Sequence, residues 1–497
     1  MSLLAVDVGS SACKAVAFNI DGEILARHAS GYTPDFPKPS HAEMDPTRFW
    51  DAVCSCTQTV ARNLTDPVRA LCLSSHGETF IPIDRAGEAI APAILNQDNR
   101  AVYETKWIEE QCGRKQLFQT TGLVSHPMYP LPKILWLREH QPDVFSSAAR
   151  FITVIGYILQ RLGLPPYADY SLASRYLAFN VRQRRWAEDI LELANLKTDR
   201  LPVPMPAGTI AGKLNAAAAA QLGLLSGTKV ILGGHDQPCA ALGLGVITAG
   251  QASDSLGTYE CVLVASNSPT LTDTALAGAL NSYCHVVPDK FVTIAYFPSG
   301  IMVKWFHDLL YGDVAEGSES EHYAILEANA PHKPTGLCIT PNLIGTCNPD
   351  FNPNTRALIY GLDPGTGRGD IYQGTLEGLA CELSHIAQLL SNAVGEFQDV
   401  HVSGGGTHSP LGLKLRAALT GKRLHVMQCP EAVSLGGAIL AGVAIGEYKT
   451  VEEAIHRVVH EVAVIEPDAK VASEYAQQLK QYRCLRSLSP VLSKEEL

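Results

Sequence analysis

The sequence predicts an α/β protein of two domains, and three observations carry that expectation. At 497 residues the chain is too long for one ordinary core, so two units of about 200–250 residues each follow. Short apolar, strand-like runs alternate with helical patterns through most of its length. An Asp-led turn of glycine and hydroxyl residues beside an apolar strand, "AVDVGSSACKAVAF" (5–18), returns half a chain-length later as "ASDSLGTYECVLVA" (252–265). Such a repeat points to an internal duplication of strand–loop units. The boundary is expected within "GVITAGQAS", giving domains of 1–247 and 248–497.

The elements follow in order. "LLAVDV" and "AVAFNI" read as strands around the turn "GSSA", Asp21-Gly22 is a hairpin signal, and "EILARHA" continues the meander. "DPTRFWDAVCSCTQTVARNL" is a helix with Asp45 as N-cap and Pro46 at its first position, burying Phe49, Val53 and Val60. "RALCLSS" (69–75) is a buried strand running into the turn "HGET". "NAAAAAQLG" reads as an alanine-rich helix. In the second half "DVHVSGGGTHSPLGLKLRAALTG" is strand, triple glycine, helix, and "KRLHVMQCPEAVSLGGAILAGVAIG" is strand, connection, small-residue helix.

Composition narrows the function classes. A formal charge of −11 argues against nucleic acid or an anionic membrane as partner, since either needs clustered Lys and Arg. No run reaches the ~18 apolar residues of a spanning helix. The N-terminal "MSLLAVDVGSSACK" has no basic leader, so no signal peptide is expected. Thirteen scattered cysteines suit reduced thiols and a cytoplasmic protein better than a disulfide framework. Cys54 and Cys56 point to different faces of their helix and read as packing residues.

Several turns carry chemistry. In "DVGSS" (Asp7–Ser11) the backbone N–H groups can meet phosphate oxygens, and a leading carboxylate can hold Mg²⁺ through water; an ordinary hairpin turn is the other reading. "SLGT" (Ser255–Thr258) can grip phosphate from the other domain, and two such turns facing across a cleft would straddle a nucleotide. "SGGGTHS" (Ser403–Ser409) allows close backbone approach to a ring or phosphate. "SSHGET" (74–79) and "NQDNR" (96–100) gather the polar groups a polyhydroxylated ligand needs, although solvated loops would look the same. In "ILGGHDQPCAALGLG" (231–245) Asp236 stands alone between a strand and a small-residue helix. The residues leave helix cap and catalytic base both open for it.

"MYPLPKILWLREH" (128–140), with Pro130, Lys133, Trp136 and His140, is similar to the first diagnostic motif of the FGGY carbohydrate kinases. "DVGSS", "SSHGET", "NQDNR", "DYSLASRYLAFN", "GGHDQPCAALG", "DSLGTYE", "SGIMVKW", "LEGLA", "SGGGTHS" and "LGGAILAG" follow in family order from residue 3 to about 448. The resemblance implies two actin-like (ribonuclease H-like) domains with a nucleotide cleft between them. It implies transfer of the γ-phosphate of ATP, with Mg²⁺, to a hydroxyl of a ketose or polyol, a pentulose such as xylulose foremost.

Residue by residue, the resemblance implies Asp236 as the base that takes the acceptor proton, and Asp7 as the organiser of Mg²⁺. Gly9, Ser10, Ser11 and Lys14 would approach the phosphates from the first domain, Gly257 and Thr258 from the second. Gly300 and Lys304 would line the nucleotide, Gly405 and Ser409 the adenosine. Contacts to the carbohydrate would come from His76, Glu78, Asp98, Arg100 and Met128, with the sugar site in the first domain. Homodimerisation is a further expectation from the family. The chain departs from the family pattern at four places. Ser75-His76-Gly77-Glu78-Thr79 replaces the xylulokinase-type Gly-Gln-Met-His-Gly, and Glu78-Thr79 is closer to the glycerol kinase Arg-Glu-Thr with Gly77 where that arginine stands. Asn96 replaces an aromatic residue, "NLIGTCNPDFNP" lacks the usual Gly-Glu-Arg, and Gln373-Gly374 replaces Arg-Ala. These changes touch substrate identity rather than fold or reaction. The rival reading is an actin-like nucleotide switch with no small acceptor, against which Asp236 and the polar loops at 74–79 and 96–100 argue.

Overall fold

The computed structural model describes residues 2–312 and 318–492. Strands β1 (Ser2–Val8), β2 (Ala12–Phe18) and β3 (Ile24–Gly31) form an antiparallel meander. Helix α1 (Pro46–Arg62) follows; the Asp45 carboxylate accepts the Thr47 amide at 2.9 Å and Phe49, Val53 and Val60 face the core, as the sequence pattern dictates. The chain then returns as β4 (Val68–Ser75), parallel to β1. A long insertion carries α2 (Pro130–His140) and α3 (Tyr170–Ser174) before β5 (Ile210–Lys213) and β6 (Lys229–His235) close a six-stranded sheet of order β5-β6-β4-β1-β2-β3.

Helix α4 (Asp236–Gly243) leaves that sheet. The second half builds β7 (Ala252–Leu256), β8 (Tyr259–Ser266), β9 (Asn281–Cys284) and β10 (Phe291–Pro298), then α5 (Gly300–Tyr311), α6 (Glu319–Ala328) and α7 (Arg368–Val394). It ends with β11 (Asp399–Ser403), α8 (Pro410–Thr420), β12 (Arg423–Met427), α9 (Ala432–Ile445) and β13 (Glu461–Ile465). The second sheet runs β13-β12-β11-β7-β8-β10-β9. Set beside the first, its first six strands match position for position. β7 is antiparallel to β8 and parallel to β11, as β1 is to β2 and β4, and β13 and β5 are both antiparallel edge strands. The repeat seen in two short turns thus extends to whole sheets.

The equivalent helices α4 and α9 pack against each other more closely than side chains allow. A Cβ on Gly436 would stand 2.0 Å from the Cys239 carbonyl oxygen, and one on Gly243 would stand 1.9 Å from that of Ala432. Chain order puts α9 in the second half, yet its Leu435 and Ile439 share a buried cluster with Leu3, Val16 and Cys72 of the first sheet. A separate core couples the second sheet to α7 through Leu379, Leu383 and Leu390. No helix among the described residues is long and apolar enough to cross a membrane.

Candidate active site

Strand β6 ends at His235 and α4 begins at Asp236, so the histidine holds the cap position and its side chain caps nothing. Asp236 is the first helical residue, with its side chain 22% exposed. Burial, then the neighbouring Asp7 and Glu78 carboxylates, push its pKa up to about 8, against the pull of the Gln237 amide. A partly open carboxyl with that proton affinity is suited to proton transfer near neutrality.

Asp7 lies in register with Ser74 across β1 and β4, and its Oδ1 accepts the Ser74 hydroxyl at 2.9 Å. Burial raises its pKa to about 6, opposed by Ser74 and Lys14. A cavity of about 140 Å³ opens beside it, and both halves of the chain line it, with Asp7, Lys14 and Ala240 on one side and Ser255, Ser403, Gly404 and Glu431 on the other. The Gly9–Ser10–Ser11 turn is held by the Gly9 amide donating to Ala12 and by the Tyr32 hydroxyl donating to the Gly9 carbonyl. Lys14 reaches the cavity rim, where Nζ pairs with Glu431 at 2.7 Å while Arg27 takes the other oxygen at 3.1 Å.

Gly257 and Thr258 form the exposed turn between β7 and β8. Their carbonyls accept the amides of Gly300 (3.0 Å) and Ser299 (3.1 Å), and a Cβ at 300 would stand 2.5 Å from the Gly257 oxygen. Beneath this turn Glu260 binds Arg416 through two hydrogen bonds (3.0 and 2.8 Å) and accepts the Ser299 hydroxyl at 2.7 Å. Asp254 is buried beside them; burial and Glu260 hold its carboxyl far above the usual range. Gly405 is exposed in the glycine turn. Two expected nucleotide residues are occupied otherwise. Ser409 caps α8, accepting the Gly412 amide at 3.0 Å and donating to Glu327 at 2.8 Å. Lys304 pairs with Asp308 one turn along α5 at 3.2 Å.

On the side of the expected carbohydrate contacts, His76 Nδ1 lies 2.8 Å from the Val8 carbonyl and must donate to it. Burial keeps the ring neutral, so Nε2 accepts the Thr79 hydroxyl at 2.8 Å, and Thr79 in turn accepts the Asn96 amide at 3.1 Å. This relay ties the end of β1, just before the Gly9–Ser11 turn, to the 96–100 loop. Asp98 and Arg100 face each other: Arg100 Nη2 meets Asp98 at 2.7 Å and Glu43 at 2.7 Å, Asp98 accepts the Ala42 amide at 2.6 Å, and the guanidinium stacks over Trp136. With side chains 0–1% exposed, the pair braces the wall rather than presenting itself to a ligand. Lys133 is fully buried and donates to the carbonyls of Glu78 and Leu95, both at 2.8 Å. Met128 is half-buried, its amide donating to His126.

Glu78 sits at φ +62° and binds Arg175, both side chains 5% exposed. The Arg175 guanidinium lies over the rings of Tyr129 (5.2 Å) and Tyr283 (4.6 Å), and the Tyr283 hydroxyl is 3.1 Å from His235 Nδ1. Sequence reasoning missed Arg175, Tyr283 and His235. The available signal was an arginine inside the apolar run "LASRYLAF", since a buried cation must find a carboxylate.

The N-terminal domain of the FGGY family of carbohydrate kinases matches residues 2–243, and the family's C-terminal domain matches residues 252–445. A xylulose kinase of Staphylococcus xylosus is 25% identical over 447 residues, 90% of this chain and 91% of its own. A gluconokinase of Bacillus subtilis is 25% identical over 455 residues, 90% and 88% of the two chains. The solved structure of a ligand-bound xylulose kinase from Lactobacillus acidophilus superposes with a TM-score of 0.89 at 23% identity, over 98% of each chain.

Proposed function

The chain belongs to the FGGY family of carbohydrate kinases, and from that premise we propose that it moves the γ-phosphate of ATP to a hydroxyl of a ketose, a pentulose foremost, or of a polyol. The observation that carries this reading is the cavity lined by Asp7 and Lys14 from one half and by Ser255, Ser403 and Gly404 from the other, with α4, the helix that Asp236 begins, supplying Ala240 to its wall. Asp236 takes the proton of the acceptor hydroxyl as that oxygen bonds to the γ-phosphorus, and the bond to the departing ADP oxygen breaks. Little covalent chemistry is asked of the protein, so alignment and charge do most of the work. The turns at 9–11 and 257–258 approach the phosphates, Gly300 holds the second turn in place, and Gly405 lets the adenosine come close. Closure over both substrates excludes water and suppresses idle ATP hydrolysis.

Asp7 fits a role toward Mg²⁺, because one carboxylate with neighbouring hydroxyls suits an ion that keeps most of its water and phosphate ligands. When bound, that ion neutralises charge on the phosphates. Lys14, held by Glu431, supplies a further positive charge at the rim. A nucleotide switch without a small acceptor is disfavoured by membership in a kinase family.

The test is ADP release by the purified protein with Mg-ATP across a panel of ketoses and polyols, beside Asp236→Asn. Turnover with one acceptor, lost in the variant while ATP still binds, is the expected result. No acceptor-stimulated ADP release would overturn the assignment, and an active variant would overturn the role of Asp236.

A further inference from the structure

We infer that Arg175 reads one oxygen of the carbohydrate through its free guanidinium nitrogen, and that the site it serves admits uncharged acceptors only. The inference rests on the kinase reading above and names the class of substrate for it.

Four features of the site lead there. The Arg175 side chain is 5% exposed and its Nε donates to Glu78, but Nη1, also buried, has no hydrogen-bond partner among the described residues. A buried N–H without an acceptor is costly and rare, and at a binding site a ligand oxygen is the natural acceptor. The group is also clamped. Glu78 adopts a left-handed backbone that few side chains tolerate, and Tyr129 and Tyr283 flank the guanidinium. Through Tyr283 and His235 the contacts continue to Asp236, with steps of 3.1 and 3.4 Å. Gly77 makes the room: a Cβ there would stand 2.9 Å from the His235 ring and 3.1 Å from Arg175 Cγ. The asparagine that replaces the family's aromatic residue adds the complementary group, since the Asn96 Oδ1 is buried and unpartnered among the described residues.

The charges set the substrate class. Glu78 offsets Arg175, and Asp98 and Glu43 offset Arg100. Lys133 is fully buried behind this wall, gives two of its three N–H donors to carbonyls and has Asp98 and Glu78 as its nearby carboxylates. Among the described residues named on this wall, Arg175, Arg100 and Lys133 face Glu78, Asp98 and Glu43, which leaves no cation over for a carboxylate, while Asp7, and Asp236 once ionised, add negative charge nearby. A ketose or polyol, which donates and accepts hydrogen bonds without charge, fits; an aldonate would be desolvated with no counter-ion.

The experiment compares kcat/KM for the best uncharged acceptor, its monodeoxy analogues and the aldonate of equal chain length, in wild type, Arg175→Lys and Gly77→Ala. One monodeoxy analogue should be about 10- to 100-fold worse than the parent in wild type, and Arg175→Lys should erase that preference alone while KM for ATP stays put. The aldonate should be worse than the parent by more than about 100-fold. A loss spread evenly over all acceptors with the ratios intact would overturn the role of Arg175, and an aldonate as good as the parent would overturn the charge argument. If Arg175→Lys does not fold, Gly77→Ala carries the test, because it crowds Arg175 and His235 without removing a charge. It should shrink the same ratio, and an unchanged ratio overturns the inference. ADP release stimulated by no carbohydrate at all would instead sink the kinase reading, and this one with it.

Discussion

The imidazole of His235 and the carboxylate of Asp236 face each other, Nε2 to Oδ1, at 3.4 Å, yet they are not an ion pair. Burial lowers the His235 pKa to about 3, so at neutral pH the ring is an uncharged dipole beside the acid. With no cation beside it among the described residues to stabilise its ionised form, Asp236 keeps the proton affinity that burial, Asp7 and Glu78 impose.

That affinity sets the pH profile. Asp236 must be ionised to accept a proton, so kcat/KM for the acceptor should climb with pH on an acid limb well above the ordinary carboxylate range, towards 8. Asp236→Asn should lower kcat by about 10²–10⁴-fold. ADP release followed across the pH range reads both, and an acid limb at an ordinary carboxylate pKa would sink the idea.

The same residue should lower stability at alkaline pH. Its folded pKa lies above the unfolded value of 3.8, so folding favours the protonated form. Stability is unimpaired below 3.8 and declines as pH rises towards 8. Asp236→Asn removes that titration, so the variant should gain on wild type between these limits, by on the order of 2–5 kcal/mol at the upper end. Denaturant unfolding at acid and at neutral-to-alkaline pH measures the difference, and a gain independent of pH would refute the linkage.

Glu260 and Arg416 support the Gly257–Thr258 turn, proposed to meet the phosphates, from below, with Ser299 attached to the same carboxylate. Glu260→Gln leaves a buried guanidinium without its charge partner and should cost about 3–5 kcal/mol. The released Ser299 loosens the Gly257–Thr258 turn, so KM for ATP should rise while KM for the carbohydrate stays near wild type. Equal changes in both constants would show that the damage is general.

Lys14 and Glu431 join the two halves at the rim of the cavity, the lysine side chain 44% exposed. Such a pair contributes little to stability, about 0–1 kcal/mol, so neither Lys14→Met nor Glu431→Gln should move the unfolding midpoint far. Their kinetic effects should have opposite signs. Losing the lysine weakens attraction for the phosphates and raises KM for ATP; losing the glutamate removes a repelling charge and lowers it. Added salt should narrow the gap between them.

Local signals were legible in the sequence because their causes are local. Asp45 with Pro46 announces α1, and the Gly-rich turns beside Asp7 and Ser255 announce the ends of β1 and β7. The position of α9 was not legible, since only the three-dimensional path shows a C-terminal helix resting on the N-terminal sheet. Asp98 and Arg100 read as substrate contacts from their setting in "NQDNR", but the same two-residue spacing lets them close on each other. Ser409 similarly serves its own helix. Arg175 was hidden for the opposite reason, its partner Glu78 lying 97 positions earlier.

The backbone contact of α4 and α9 at Gly243 and Gly436 has a mechanical side. The two rods meet twice along that seam, Gly243 against the Ala432 carbonyl and Gly436 against the Cys239 carbonyl, so neither can slide through or swing freely about the other. Asp236 begins α4 only about 4–5 Å along the axis from Cys239, and Glu431 directly precedes Ala432. The carboxyl proposed to take the acceptor proton and the partner of Lys14 therefore both sit close to one stiff seam, and a displacement of one half against the other is shared by both.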